Sequence, residues 1–222
     1  MGIAESTVKR KVEKIKEANI TIDYNYDENN KIYSYTIRID QLIEPQMRPR
    51  SGKFGAIYDP LKGYKAQLIK KVLNEINTKE IKIPNLEDDN YTTAYIELVD
   101  TPPESWSISK QYQALINNVH FKTKPDIDNC VKTIYDSLEG IFFKNDSQVI
   151  NETLVKFYGV HPMTLIHFNI YTENYEKERI TKKNIDSIIE DEKIKQFILE
   201  RMEKKKWQII LIVCLQKKIM KN

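Results

Sequence analysis

The chain has 222 residues and carries 35 lysines and arginines against 32 aspartates and glutamates, so a net charge of +3 announces no nucleic-acid partner and any such role must come from local clustering. Cys130 and Cys214 match no zinc spacing, the three histidines form no ligand cluster, and the longest apolar run, Ile209 to Leu215, falls well short of the ~20 residues that span a bilayer. A zinc module, a disulfide scaffold and a membrane protein are thereby excluded, and the charged opening stretch does not read as a signal peptide, so a reduced, cytoplasmic setting is expected.

Val8, Val12 and Ile15 recur at helical spacing in an otherwise charged segment, which predicts a short amphipathic helix over 6–18, read as a solvated leader rather than a basic DNA-binding arm. Ile20, Ile22, Tyr24 and Tyr26 alternate with polar residues, Asp27-Glu28-Asn29-Asn30 reads as a turn, and Tyr33, Tyr35, Ile37 and Ile39 alternate again. This is a β-hairpin pattern. The loop that follows, from Pro45 to Lys53, holds Arg48, Arg50 and Lys53 and is kept out of helix and sheet by Pro45 and Pro49. Its arginines suit bidentate contacts to phosphate oxygens, although a solvated basic loop has the same composition.

Asp59-Pro60 predicts a capped helix start, with Tyr64, Leu68, Val72 and Ile76 as its buried stripe and Lys62, Lys65, Lys70 and Lys71 as its solvated face. The acidic stretch 85–90 is expected to be a solvated turn, Tyr91 to Val99 a strand, and Ser105 to Val119 a second helix. Val149 to Tyr158 and Met163 to Tyr171 are expected to pair antiparallel through the turn at Gly159 to Pro162. Beyond Thr172, residues 174–206 show helical spacing among many charges, and a basic tail follows from Trp207.

Chemistry concentrates between these elements. In Lys124-Pro125-Asp126-Ile127-Asp128-Asn129, followed by Lys132, Asp136 and Gly140, the apolar residues Ile127, Val131, Ile134 and Leu138 mark one face of a helix from about Ile127 to Glu139. Asp128 and Lys132, four apart, share a neighbouring face roughly 100° around. Asp146, in Asn145-Asp146-Ser147-Gln148-Val149, returns at the mouth of the next strand and can meet Asp126 and Asp128. Hard carboxylate oxygens of this kind select Mg²⁺ or Mn²⁺. Lys132 could then stabilise charge on a phosphate, and Asn129 could hold a carboxylate or a phosphate oxygen. The competing reading gives Asp126 and Asp128 a capping role, Lys132 an ion pair with Asp128, and Asp146 a place in a turn.

Lys-Pro-Asp-Ile-Asp-Asn at 124–129, Lys132, Asp136, Leu138, Gly140 and Asp-Ser-Gln-Val at 146–149 together resemble the signature of the RusA-like Holliday junction resolvases, a family often carried on prophages. The resemblance covers about residues 32–172. It implies an α/β (α+β) fold, a compact mixed β-sheet packed with helices; an N-terminal extension at 1–31 and a C-terminal helical extension at 173–222 lie outside it. It further implies a homodimeric, Mg²⁺-dependent endodeoxyribonuclease acting on four-way DNA junctions. Asp126, Asp128 and Asp146 match the family's catalytic, metal-binding carboxylates and Lys132 its basic residue; Arg48, Arg50, Lys53, Lys124 and Asn129 are the expected DNA contacts. Two positions depart from the pattern: Asn145 stands where an acid is frequent, and Cys130 where leucine is usual. The alternatives are a junction-binding protein without catalysis and a nuclease for other branched DNA. A restriction-type nuclease is disfavoured because the downstream triplets Asp191-Glu192-Lys193 and Glu203-Lys204-Lys205 lie on the charged helical tail rather than on a strand.

Overall fold

The computed structural model describes residues 2–51, 55–172, 186 and 190–203. Lys53, Cys214, most of the expected C-terminal helices and the tail from Trp207 lie outside the described residues. The chain divides into two compact units, Met1–Glu173 and Asn174–Asn222. In the second, residues 192–203 are helical, and Lys195 pairs with Asp186 (2.6 Å) and Glu192 (2.9 Å).

In chain order the first unit contains α1 (Gly2–Glu17), β1 (Ile20–Asp27), β2 (Ile32–Ile39), β3 (Arg50–Ser51), β4 (Ile57–Tyr58), α2 (Lys62–Thr78), β5 (Tyr91–Asp100), α3 (Ile108–Leu115), α4 (Ile127–Leu138), β6 (Val149–Tyr158) and β7 (Met163–Tyr171). Five strands form one mixed sheet in the order β1-β2-β7-β5-β6, and β3 and β4 form a separate ribbon. The fold is thus the expected mixed α+β one.

Local chemistry explains the elements. Alternation in β1 and β2 puts Ile22, Tyr35 and Ile37 into the core, and the hairpin closes because the Asp27 carboxylate accepts the backbone N–H groups of Asn29 (2.9 Å) and Asn30 (3.1 Å). Helix α2 buries the expected stripe of Tyr64, Leu68, Val72 and Ile76. Helix α4 buries Val131, Ile134 and Leu138 together with Cys130, Thr133 and Ser137. The two hydroxyls are satisfied within the helix: Ser137 Oγ donates to the Thr133 carbonyl (2.7 Å) and Thr133 Oγ1 to that of Asn129 (3.3 Å). Phe142, Phe143 and Phe168 pack beside α4, each such buried ring contributing about 1.5–3 kcal/mol.

The structure corrects several expectations. The strands β6 and β7 are not a hairpin, because β5 lies between them, parallel to β6 and antiparallel to β7. The short link at 159–162 therefore crosses the end of β5, with the Gly159 N–H donating to the Asp100 carbonyl (2.9 Å). Two residues of the basic loop are strand, since Arg50 and Ser51, just past Pro49, pair with Tyr58 and Ile57. Helix α1 is not a solvated leader: Ile15 is fully buried, and Lys11 pairs with Glu44 (2.5 Å). Helix α2 begins two residues later than Asp59-Pro60 suggests, because the Asp59 carboxylate accepts the Leu61 N–H (2.8 Å) in a turn ahead of the helix. Helix α3 is shorter than expected; the Ser107 hydroxyl accepts the Lys110 N–H at its start. Lys65, expected in solvent, is only 12% exposed and bridges Asp59 (2.9 Å) and Asp136 (2.8 Å). Burial alone would lower its pKa, but the two carboxylates outweigh that and raise it.

Candidate active site

Helix α4 starts at Asp126, whose backbone is extended as an N-cap residue's should be, yet its side chain makes no capping hydrogen bond. The capping reading therefore fails where it was most natural. Asp128 and Lys132 form no ion pair with each other or with any other described residue, so the simple i,i+4 pairing fails as well. Asp146 lies in a single 3-10 turn, Asp146–Gln148, at the mouth of β6. The neighbouring side chains build that turn. Asn145 Oδ1 accepts the Ser147 N–H (2.9 Å), and Gln148 Oε1 accepts the N–H groups of Lys144 (2.8 Å) and Asn145 (3.3 Å). Gln148 Nε2 also donates to the carbonyls of Glu87 (2.7 Å) and Asn90 (3.0 Å), anchoring the turn to the acidic loop. Asn145 is thus a cap, and the Asp146 carboxylate is left exposed and unengaged.

The basic loop is brought to the same helix. The Gln46 N–H donates to the Asn129 carbonyl (2.8 Å), so the chain leading to Arg48 and Arg50 leaves from the first turn of α4. A cleft of about 580 Å³ opens there, lined among others by Lys14, Glu44, Gln46, Lys124, Asp126 and Asn129. Arg48, Arg50 and Lys124 are exposed and Asn129 half-buried. Lys53 lies outside the described residues.

Three side chains that no sequence spacing singled out complete the surroundings. Lys156 of β6 donates to the carbonyls of Thr123 (2.7 Å) and Pro125 (2.9 Å), with its ammonium 4.7 Å from the Phe121 ring centroid. It staples the loop that ends at Asp126. Tyr135, one turn beyond Lys132, donates its hydroxyl to Glu152 Oε2 (2.7 Å). Its pKa is raised by burial first, then by the Glu152 hydrogen bond and charge, and then by the charge of Asp146. Only the packing of β6 against α4 reveals these partners. Lys156→Met should lower stability by about 1–3 kcal/mol through loss of two charge-assisted hydrogen bonds, measured by urea unfolding. An unchanged midpoint would show that the loop holds without the staple.

Cys130 contributes packing rather than chemistry. Burial, only partly countered by Lys156 and reinforced by Glu44, Asp128 and Asp126, pushes its thiol up to about 12, and Sγ faces the Ile43 carbonyl at 3.7 Å. The expected meeting of three carboxylates at one point is not found: no group of three or more His, Cys, Asp or Glu among the described residues is gathered closely enough to hold a metal ion. Asp126 and Asp128 stand at the start of α4, and Asp146 in the turn that leads into β6. The donor chemistry still suits Mg²⁺, which commonly takes one or two carboxylates and completes its shell with water and substrate phosphate. No helix of the described residues is long and apolar enough to cross a membrane.

A family model described as "Endodeoxyribonuclease RusA" matches residues 42–169. Among curated proteins, the "Uncharacterized protein YqaN" of Bacillus subtilis (strain 168) is 48% identical over 40 residues, 18% of this chain and 28% of that protein. The match thus spans well under two thirds of that relative.

Proposed function

The chain belongs to the RusA endodeoxyribonuclease family, and on that premise we propose that it resolves four-way (Holliday) DNA junctions by paired, Mg²⁺-dependent nicks, in recombination and repair. The observation that carries this reading is the unengaged state of Asp126, Asp128, Lys132 and Asp146. None is in an ion pair or a side-chain hydrogen bond with a described residue, although every residue type among them pairs readily. Charges left free around one helix are what a phosphodiester and its counterion require.

In this reading Arg48, Arg50, Lys53 and Lys124 bind backbone phosphates, with the arginines able to grip two oxygens at once. Asn129 orients a phosphate oxygen at the cleft. The Lys132 ammonium stabilises charge growing on the scissile phosphate. Asp126, Asp128 and Asp146 are the carboxylates that would ligate Mg²⁺ (or Mn²⁺), one or two of them to an ion whose shell substrate oxygens and water complete, and such an ion would polarise the phosphodiester and acidify an attacking water. Two opposed cuts on a two-fold junction are matched most simply by a homodimer with one site per subunit.

Incubation with an end-labelled synthetic four-way junction across a Mg²⁺ and Mn²⁺ series should give symmetric nicks on opposed strands. Binding without nicks at any metal concentration would leave a junction-binding protein instead. Arg48→Ala and Arg50→Ala should each weaken junction binding and reduce the slope of log K against log salt by about 1, measured by titration from low to physiological salt. An unchanged slope would return both arginines to solvent.

A further inference from the structure

The β3–β4 ribbon holds only two residue pairs, Arg50 opposite Tyr58 and Ser51 opposite Ile57. So short a ribbon is not stable by itself, and its large side chains stay in solvent: Tyr58 is 48% and Ile57 78% exposed. As directly opposed residues, Arg50 and Tyr58 present a guanidinium and a phenol ring on one face. Arg48, Arg50 and Lys62 are exposed cations of the same segment, and neither arginine has an ion pair with a described residue.

Both roots of the ribbon are fastened to α4. On one side, the Gln46 N–H bonds to the Asn129 carbonyl (2.8 Å). On the other, Asp59, next to Tyr58, binds Lys65 (2.9 Å), which also grips Asp136 of α4 (2.8 Å). Whatever the ribbon holds is therefore tied to the helix that carries Asp128 and Lys132. The face offers a ring to stack on a base and a cation to take a phosphate, and base and phosphate are the two groups that a nucleotide presents and an apolar protein surface does not.

We propose that the β3–β4 ribbon is a branch-reading arm, in which Tyr58 stacks on an unstacked base at the junction while Arg50 across the ribbon takes the adjoining phosphate. This rests on the junction-resolving function and names the feature that lets the same site distinguish branched from linear DNA. An unstacked base is available at a branch and absent from intact duplex, so stacking rewards only the branched substrate.

The test compares the full chain with Tyr58→Ala, Tyr58→Phe and Tyr58→Trp in binding to a four-way junction and to a linear duplex of the same sequence, in EDTA so that no cutting intervenes. Tyr58→Ala is expected to lose about tenfold or more in junction affinity, the scale of one base–aromatic stack, with duplex affinity unchanged. Phenylalanine and tryptophan should retain junction affinity. If the wild-type chain prefers the junction and Tyr58→Ala matches it, or loses equally on duplex, the ribbon's role is overturned and the functional reading stands. A wild-type chain with no junction preference overturns both. Sedimentation supplies the last arm: a dimer that Tyr58→Ala converts to monomer would make the ribbon a contact between two copies of the chain.

Discussion

Asp126→Asn, Asp128→Asn and Asp146→Asn should each reduce paired nicking of a four-way junction on the order of a hundred- to thousandfold or more, while junction affinity stays within a few-fold of wild type. The substitution removes a charge and keeps the shape. It also leaves folding intact, because none of the three carboxylates makes a side-chain hydrogen bond or ion pair with a described residue. Stability should accordingly change by no more than about 0.5 kcal/mol, as for surface positions without special features. Gel-based cleavage with Mg²⁺, binding in EDTA and a urea melt on the same samples separate the two roles. Retained cutting at any one position removes that residue from the catalytic set. Asp126→Ala sharpens the point: a working cap lost to alanine costs about 0.5–2 kcal/mol, whereas the uncapped geometry at Asp126 predicts almost none.

Gly159→Ala is expected to destabilise the fold by about 1–3 kcal/mol, the usual range for forcing extra carbon into a packed site. A Cβ at Gly159 would stand 2.5 Å from Val99 Cγ1, and Val99 is 4% exposed with a stiff β-branched side chain. The contact exists because the link from β6 to β7 passes directly over the end of β5. Val99→Ala removes the obstructing methyl, so the double variant should recover part of the loss. Thermal or urea unfolding of the four proteins gives the coupling, and strict additivity would mean that the crossing does not press on Val99.

What the sequence made legible follows from periodicity and local hydrogen bonding. Helix α4, its stripe and its stop at Gly140, where φ is +79°, are encoded within a dozen residues, as are the β1–β2 hairpin and the buried face of α2. The partners of β6 were not legible. Alternation marks a strand without naming its neighbour, and a four-residue link looks the same in a hairpin as in a crossing over another strand. The Lys65 bridge, the Lys156 staple and the Tyr135–Glu152 bond were hidden for a related reason, since each joins residues at least 17 positions apart or elements that meet only through the sheet. Asn145 reads in sequence as a lost acid and in the structure as a cap, a role that a small polar acceptor fills whether or not it is charged.

The ladder between β2 and β7 runs without a break from Ile32 with Tyr171 to Ile39 with Thr164, and β1 covers the far side of β2. The family match begins at residue 42, after both strands. A fragment trimmed to that match would leave one whole edge of β7 with unanswered backbone donors and acceptors and would strip Ile22, Tyr35 and Ile37 from the core. The stretch that shared ancestry delimits is thus smaller than the stretch that folds, and an expressed piece that starts at residue 42 would be prone to self-association through that open edge.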